Sequence, residues 1–391
     1  MEVKITHEDG LSKIAIIGSV TSANAPQMEE AFSKEPDGTD GIIIDAKELE
    51  FISSAGLRVI LATKKRFKDK EFKIINANSE VMEVFEVTGF SQMMDISKAK
   101  RQVSIENCVK IGAGACGEVY RLDDETIIKV YFPRVKEEEI LREKDLAKKA
   151  FVMGVPTAIS YDVVECDGRT GVVYEIIKSK TLAELIRENP EELEKYVQMY
   201  ADVCKQIHSI VAQEGELPSF KAINKDDIPN VSYITEQERD YLYKFLEMVP
   251  ESMHTVHGDL NINNIMVQNG ECCLIDMGEF STGTPMFDLS RIVFSVEYAA
   301  DKTQPINDFY KLPHEIVDKM LVLLLKDYFG TDDLKEAEKI DPEVKWLYPL
   351  AWFRSCTSLL KGTRWPEAKR QLALNILHEK LIPFVDENYG K

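Results

Sequence analysis

The sequence predicts two folded parts of different class: an α/β sheet covered by helices over residues 1–96, then an α+β part that begins in strands and finishes in helices. Three observations predict this. At 391 residues the chain is too long for one ordinary domain. Apolar strand-like runs alternate with amphipathic periods through the first 96 residues. Strand-like runs then fill residues 108–177, and helical periods dominate residues 178–391.

In the first part, KIAIIG (13–18), GIIIDA (41–46) and FKIINA (72–77) read as strands. AGLRVILATKKRFK reads as an apolar-periodic helix with a basic tail. SEVMEVFEVTG reads as a short helix capped by Ser79, with Val81, Val84, Phe85 and Thr88 on one face and a stop at Gly89. The polar, partly basic stretch at residues 97–107 reads as a linker and the entry to a new sheet. Neither an internal repeat nor a low-complexity tract is visible.

Composition narrows the function. Hydrophobic content of 44% and charged content of 29% belong to a soluble globular protein. No apolar run approaches about 18 residues and MEVKITHEDG has no apolar leader core, so no membrane partner and a cytoplasmic location are expected. The seven cysteines lie scattered with no C-x-x-C, which predicts reduced, mostly buried thiols and no zinc site. A net charge of −19, with only Lys64, Lys65, Arg66, Lys68 and Lys98, Lys100, Arg101 as basic clusters, argues against a nucleic-acid partner.

The second part carries the chemistry. IGAGACGEVYRL (111–122) sets Gly112, Gly114 and Gly117 between two apolar runs, where a hairpin backbone can approach a polyphosphate with its N–H groups. ETIIKVYF then puts Lys129 inside an apolar strand, where an ammonium is costly unless an anion meets it. The glutamate-rich helical stretch that follows offers that anion: Glu143 is the first candidate and Glu139, one turn away, the second.

HTVHGDLNINNIMVQNGECCLIDMGEF (254–280) is the decisive stretch. Two apolar strands joined by the turn signal Asn269-Gly270 carry Asp259 before them, Asn264 at their start and Asp276 at their end. A hard cation such as Mg2+ prefers amide and carboxylate oxygens, which suits Asn264 and Asp276. Asp259 is then left to accept a proton from an attacking hydroxyl. His257 reads as a brace for the loop, and Asn261 and Asn263 as turn caps.

HGDLNINNIM followed by IDMG after a hairpin resembles the catalytic segment of aminoglycoside phosphotransferases, choline kinases and related kinase-like enzymes, which carry HGD where protein kinases carry HRD. The resemblance spans about residue 103 to the C-terminus, and five elements occur in the family's order. It implies a bilobal protein-kinase-like fold. Gly112, Gly114, Gly117 and Lys129 would bind the phosphates of ATP, with Glu143 orienting Lys129. VVYEII would be the hinge, where backbone groups of Glu175 and Ile177 meet the adenine. Asp259 would be the base, Asn264 and Asp276 the Mg2+ ligands, and Asp288 would cap the helix after the metal-binding loop. The acceptor would sit among residues 290–391. There WLYPLAWFRSC offers aromatics for a cationic ammonium, although Trp346 and Trp352 point apart on one helix and so read as core. Glu279 and Glu297 would suit an amine.

The first part has its own resemblance. IDAKELEFISSAGLRVILA, with the closing EVFEVTGF, resembles the STAS domain of anti-sigma-factor antagonists over residues 1–96. That family switches a protein partner through phosphorylation of a serine or threonine at the start of a helix. Its common pattern, Asp-Ser-Ser-Gly-Leu, places Ala55 of this chain at the acceptor position. Helix capping by Ser53 and Ser54 is then the leading reading, with Ser54 as a substitute phosphoacceptor the alternative. The combined expectation is an ATP- and Mg2+-dependent phosphotransferase acting on a small-metabolite hydroxyl or amine, with a STAS-like regulatory or docking domain. The alternatives are a protein kinase that modifies its own STAS-like domain or a signalling partner, and a non-catalytic nucleotide-binding adaptor.

Overall fold

A computed structural model of the chain describes residues 1–114, 116–299, 302–307, 309–362 and 365–390. Internal contacts divide it into two compact units, residues 1–104 with 164–167, and residues 105–163 with 168–391.

The first unit runs β1 (Glu2–Glu8), β2 (Leu11–Val20), α1 (Ala25–Ser33), β3 (Gly41–Asp45), β4 (Leu49–Ile52), α2 (Ser54–Arg66), β5 (Glu71–Ala77), α3 (Ser79–Val87), α4 (Phe90–Met93) and β6 (Asp95–Lys98). Its sheet has the order β1-β2-β3-β5-β6, with β4 also on β2. Only β1 is antiparallel to its neighbour. Alternation along the strands sends Ile14, Ile16, Ile42, Ile44 and Ile74 into one core with Met28, Phe32, Ile60 and Phe85 from the helices. The sequence pattern found β2, β3, β5, α2 and α3. It missed α1, whose start is set by Pro26 at its first turn.

Two corners of this unit refine the sequence reading. Ser53 has extended backbone and its side chain accepts from the Gly56 N–H at 3.4 Å, so Ser53 alone caps α2. Ser54 is already helical and exposed, and its Oγ accepts from Arg58 Nη2 at 3.4 Å. Gly56 is sterically required: a Cβ there would lie 2.6 Å from Val20 Cγ1 and 2.8 Å from Ile52 Cγ1. At α3 the cap is Asn78 and not Ser79. Asn78 has the extended backbone that a cap needs, and its Oδ1 accepts from the Val81 N–H at 2.9 Å.

The second sheet contains β7 (Arg101–Val103), β8 (Val109–Ala113), β9 (Gly117–Arg121), β10 (Thr126–Tyr131), β11 (Ser160–Cys166) and β12 (Arg169–Glu175), in the order β7-β11-β12-β10-β9-β8. Residues 97–107, read as a linker, thus contain strand β7 and the end of β6. Helix α5 (Glu137–Val152) follows β10. Beyond β12 the chain is mostly helical: β13 (Lys180–Thr181), α6 (Leu182–Glu188), α7 (Leu193–Ser209), α8 (Phe220–Asp227) and α9 (Glu236–Met248) lead to β14 (Thr255–Val256). The hairpin β15 (Ile265–Gln268) and β16 (Glu271–Leu274) turns at Asn269 and Gly270, both with positive φ, as the Asn-Gly signal predicts. After β17 (Ser281–Thr282) come α10 (Met286–Val293), a π-helical turn Phe294–Ala299, α11 (His314–Phe329), α12 (Leu334–Ile340), α13 (Leu347–Leu359), α14 (Glu367–Ile376) and α15 (Ile382–Asn388).

Candidate active site

Lys129 projects from β10 with its ammonium 2.6 Å from Glu143 Oε1 on α5 and 3.3 Å from Asp276 Oδ1. Glu143 is therefore the partner; Glu139 is exposed in the first turn of the same helix. Burial opposes the Lys129 charge, but the carboxylates of Asp276 and Glu143 outweigh it and hold its pKa above the ordinary value. The side chains of Lys129 and Glu143 are only 19% and 15% exposed, so removing either carboxylate strands a mostly buried ammonium.

The three loop glycines do different work. A Cβ at Gly117 would sit 2.5 Å from Val130 O, so only glycine lets β9 lie against β10 here. Gly112 and Gly114 face no such obstacle: the nearest atom to a Gly112 Cβ is at 3.7 Å, and a Gly114 Cβ meets nothing within 4 Å. Ala115, between Gly114 and Gly117, lies outside the described residues. Cys116 beside this loop is exposed, and burial pushes its thiol up, away from the reactive thiolate.

The loop between β14 and β15 is held from several directions. Gly258 has φ +86, and a Cβ there would lie 2.9 Å from Glu279 O and from Phe220 Cε2, so the turn requires glycine. The Asp288 carboxylate accepts from the His257 and Gly258 N–H groups at 2.8 Å each, and from His208 Nε2 at 3.1 Å. This corrects the expectation that Asp288 caps a helix: it makes no cap bond, and from the first turn of α10 it reaches the loop instead. Burial works against its charge, yet His208 and the His257 amide keep its carboxyl below the ordinary range. His257 braces the loop as expected. Its Nδ1 accepts from the Asp259 N–H at 3.3 Å, leaving Nε2–H to donate to Ile275 O at 3.0 Å.

Asp259 is where these supports converge. Asn264 Nδ2 donates to Asp259 O at 2.9 Å and to Oδ2 at 3.2 Å, and Asn261 Nδ2 also donates to Asp259 O at 2.9 Å. The other carboxylate oxygen, Oδ1, accepts from Arg291 Nε at 2.5 Å. Arg354 on α13 donates to Gly258 O at 2.8 Å. Burial raises the Asp259 carboxyl, but Arg291, with smaller help from Arg354 and His257, holds it below the ordinary range. Asp276 follows β16 in the left-handed region, φ +65, with its side chain 52% exposed. Glu279 is exposed at its surface, yet the atoms packed around it desolvate its carboxyl and push it up.

Glu175 and Ile177 lie at and just past the end of β12. The Glu175 N–H donates to Ile159 O at 2.9 Å, and Ile177 O accepts from Ser179 N at 2.8 Å. The aromatic stretch at residues 346–356 does not form an open cage. Trp346 is buried beside Phe245 and Phe384, and the rings of Trp352 and Tyr298 already meet Lys380 Nζ at 5.6 and 5.3 Å. Glu297 accepts from Tyr348 Oη at 3.2 Å.

Sequence reasoning named Lys129, Glu143, Asp259, Asn264 and Asp276 but missed Arg291 and Arg354. A signal existed for the first: Asp288 and Arg291 are the two charged residues of MFDLSRIV, a helix whose residues are all buried. Among the described residues no group of three or more His, Cys, Asp or Glu could hold a metal. No described helix is long and apolar enough to cross a membrane.

Comparison with known proteins agrees with both sequence resemblances. The sequence model of the phosphotransferase enzyme family matches residues 107–309, just over half of the chain, and that of the STAS domain matches residues 2–103. Over 103 residues, 26% of this chain and 89% of the relative, the chain is 31% identical to BtrV of Bordetella bronchiseptica, described as an anti-sigma factor antagonist. Among solved structures, ADP-bound aminoglycoside phosphotransferase APH(2'')-Ib aligns over 77% of this chain and 98% of its own, at 15% identity and a TM-score of 0.48. Amicoumacin kinase hAmiN, in complex with AMP-PNP, Ca2+ and Ami, aligns over 78% and 93%, at 16% identity and a TM-score of 0.45. By the match over residues 107–309 the chain belongs to the phosphotransferase enzyme family, and it carries a STAS domain ahead of that region.

Proposed function

We propose that the second unit transfers the terminal phosphoryl group of ATP to a hydroxyl or amine of a small metabolite, with the STAS domain regulating it or docking a protein partner. The observations that support this reading are the pairing of Lys129 with Glu143 and Asp276, the bond from Asn264 to Asp259, and the Ile275 N–H donating to Asn264 O beside Asp276. Lys129, kept charged, binds the phosphates, and the unobstructed faces of Gly112 and Gly114 let backbone approach them, while Gly117 holds the hairpin. The Glu175 carbonyl and the Ile177 amide are the hinge groups left for the adenine, because the Glu175 N–H and the Ile177 carbonyl are engaged internally.

The donor chemistry fits magnesium. Asn264 spends its amide nitrogen on Asp259, which leaves its oxygen, and Asp276 keeps a half-exposed carboxylate; an amide oxygen, a carboxylate and phosphate oxygens are what this ion takes. Bound there, Mg2+ would neutralise charge on the phosphate oxygens. Asp259, ionised and held, orients the acceptor hydroxyl and takes its proton.

A second reading has an observation of its own. Ser54 presents an exposed hydroxyl at the first turn of α2, which makes it the candidate acceptor if the enzyme modifies its own STAS domain. One experiment separates the readings: the full chain with ATP and Mg2+ is followed by intact mass and by a metabolite-acceptor panel, with Asp259→Asn as control. Turnover with one metabolite supports the first reading. A gain of phosphate on the chain, mapped to Ser54 and lost in the variant, supports the second. Nucleotide binding without consumption under any condition leaves a nucleotide-binding adaptor.

A further inference from the structure

Arg291 is a nearly buried guanidinium, 8% exposed, on a helix whose eight residues are all buried. Such a charge is costly unless it is paired and hydrogen-bonded. Every described contact it makes fixes its orientation. Nε donates to Asp259 Oδ1, and Nη1 donates to Ser295 Oγ at 2.6 Å, one turn further along the same helical path. Ser295 Oγ in turn donates to Arg291 O at 2.8 Å. The guanidinium carbon lies 5.3 Å from the Phe294 ring centroid and 5.0 Å from that of Phe309. A planar fork locked by a hydroxyl and two rings is suited to set the direction of a carboxylate, which a flexible ammonium could not do as well.

The two oxygens of Asp259 therefore have different surroundings. Oδ1 is engaged by Arg291, and Oδ2 has a longer contact, 3.2 Å, from Asn264. We propose that Arg291 is a positioning residue of the phosphotransfer site: by holding Oδ1 it turns Oδ2 of Asp259 toward the acceptor hydroxyl. This rests on the phosphotransferase reading above. In the step it serves, the acceptor oxygen forms a bond to the terminal phosphorus as the bond from that phosphorus to the ADP oxygen breaks, and the hydroxyl proton passes to Asp259 Oδ2. Arg354 has a different task, since its bond goes to the Gly258 backbone and not to the carboxylate.

The test uses the full chain with ATP, Mg2+ and the metabolite-acceptor panel, reading ADP release at saturating ATP beside ATP affinity and thermal melting. Arg291→Met keeps the length and apolar contacts while removing the fork, and a misdirected base costs about a hundredfold in turnover. The expected result is that loss in kcat with ATP affinity unchanged, and partial recovery in Arg291→Lys, which restores a donor without the plane. Ser295→Ala, which removes only the outer lock, should lower kcat to a smaller degree and keeps the test open if Arg291→Met fails to fold. Equal kcat in wild type, Arg291→Met and Ser295→Ala would overturn the positioning role alone, as would loss of ATP affinity in step with kcat. A wild-type chain that binds ATP and never consumes it with any acceptor of the panel would overturn the phosphotransfer reading and this role with it.

Discussion

Two glycine corners, one in each unit, are built alike and end differently. At residues 53–56 of the STAS domain a strand turns into α2 with Gly56 pressed against Val20 and Ile52, and the Ser53 side chain caps the helix. At residues 257–259 a strand turns into a loop with Gly258 pressed against Glu279 and Phe220, and Asp288 takes the loop's amides from outside. In the first corner the polar side chain at the turn satisfies the local backbone. In the second the backbone is satisfied by a remote carboxylate, and Asp259 itself remains charged, bonded to Arg291 and Asn264. Polar capacity in excess of what the fold uses is what separates the corner proposed as catalytic from the structural one.

That contrast can be broken by substitution. Asp259→Asn should have the largest effect, lowering turnover by about 10²–10⁴ because a positioned base is lost, as measured by ADP release. Asp288→Ala should follow: it leaves His208 and two loop amides without their buried acceptor, and a cost of about 3–5 kcal/mol in denaturant melts is expected, with turnover falling alongside. Gly56→Val should cost the STAS domain about 1–3 kcal/mol through overpacking on Val20 and Ile52 while leaving ATP affinity in place. Ser53→Ala should cost about 1 kcal/mol by removing a cap. Ser54→Ala should change stability by less than about 0.5 kcal/mol, since its exposed hydroxyl caps nothing. If Ser54→Ala instead proves as costly as Ser53→Ala, the division of labour at the first corner is wrong.

Much of this was legible in the sequence because it is local. The strand periods of β2, β3 and β5, the Asn-Gly hairpin and the spacing from His257 to Asp276 each lie within one continuous stretch. Glu143 was legible through a chemical demand, since an apolar strand carrying Lys129 needs an anion and the next helix is rich in them. What was misread depends on partners distant in sequence. Asp288 looked like a cap because it stands in the first turn of α10, but its hydrogen bonds go to His208, His257 and Gly258. The stretch at residues 346–356 offers aromatics for a ligand cation, with Trp346 and Trp352 reading as core; Trp346 is buried, and the Trp352 ring meets Lys380 of the same chain. The Ser79 cap was displaced by one residue because Asn and Ser both cap well and only backbone geometry distinguishes which of two neighbours does so.

The most direct measurement is ADP release by the full chain with ATP, Mg2+ and the metabolite-acceptor panel, in wild type and Asp259→Asn side by side, with ATP binding measured for both. The prediction is that both bind ATP and only the wild type consumes it. Equal consumption by the two proteins, or none by a wild type that binds ATP, would contradict Asp259 as the base of a phosphotransferase.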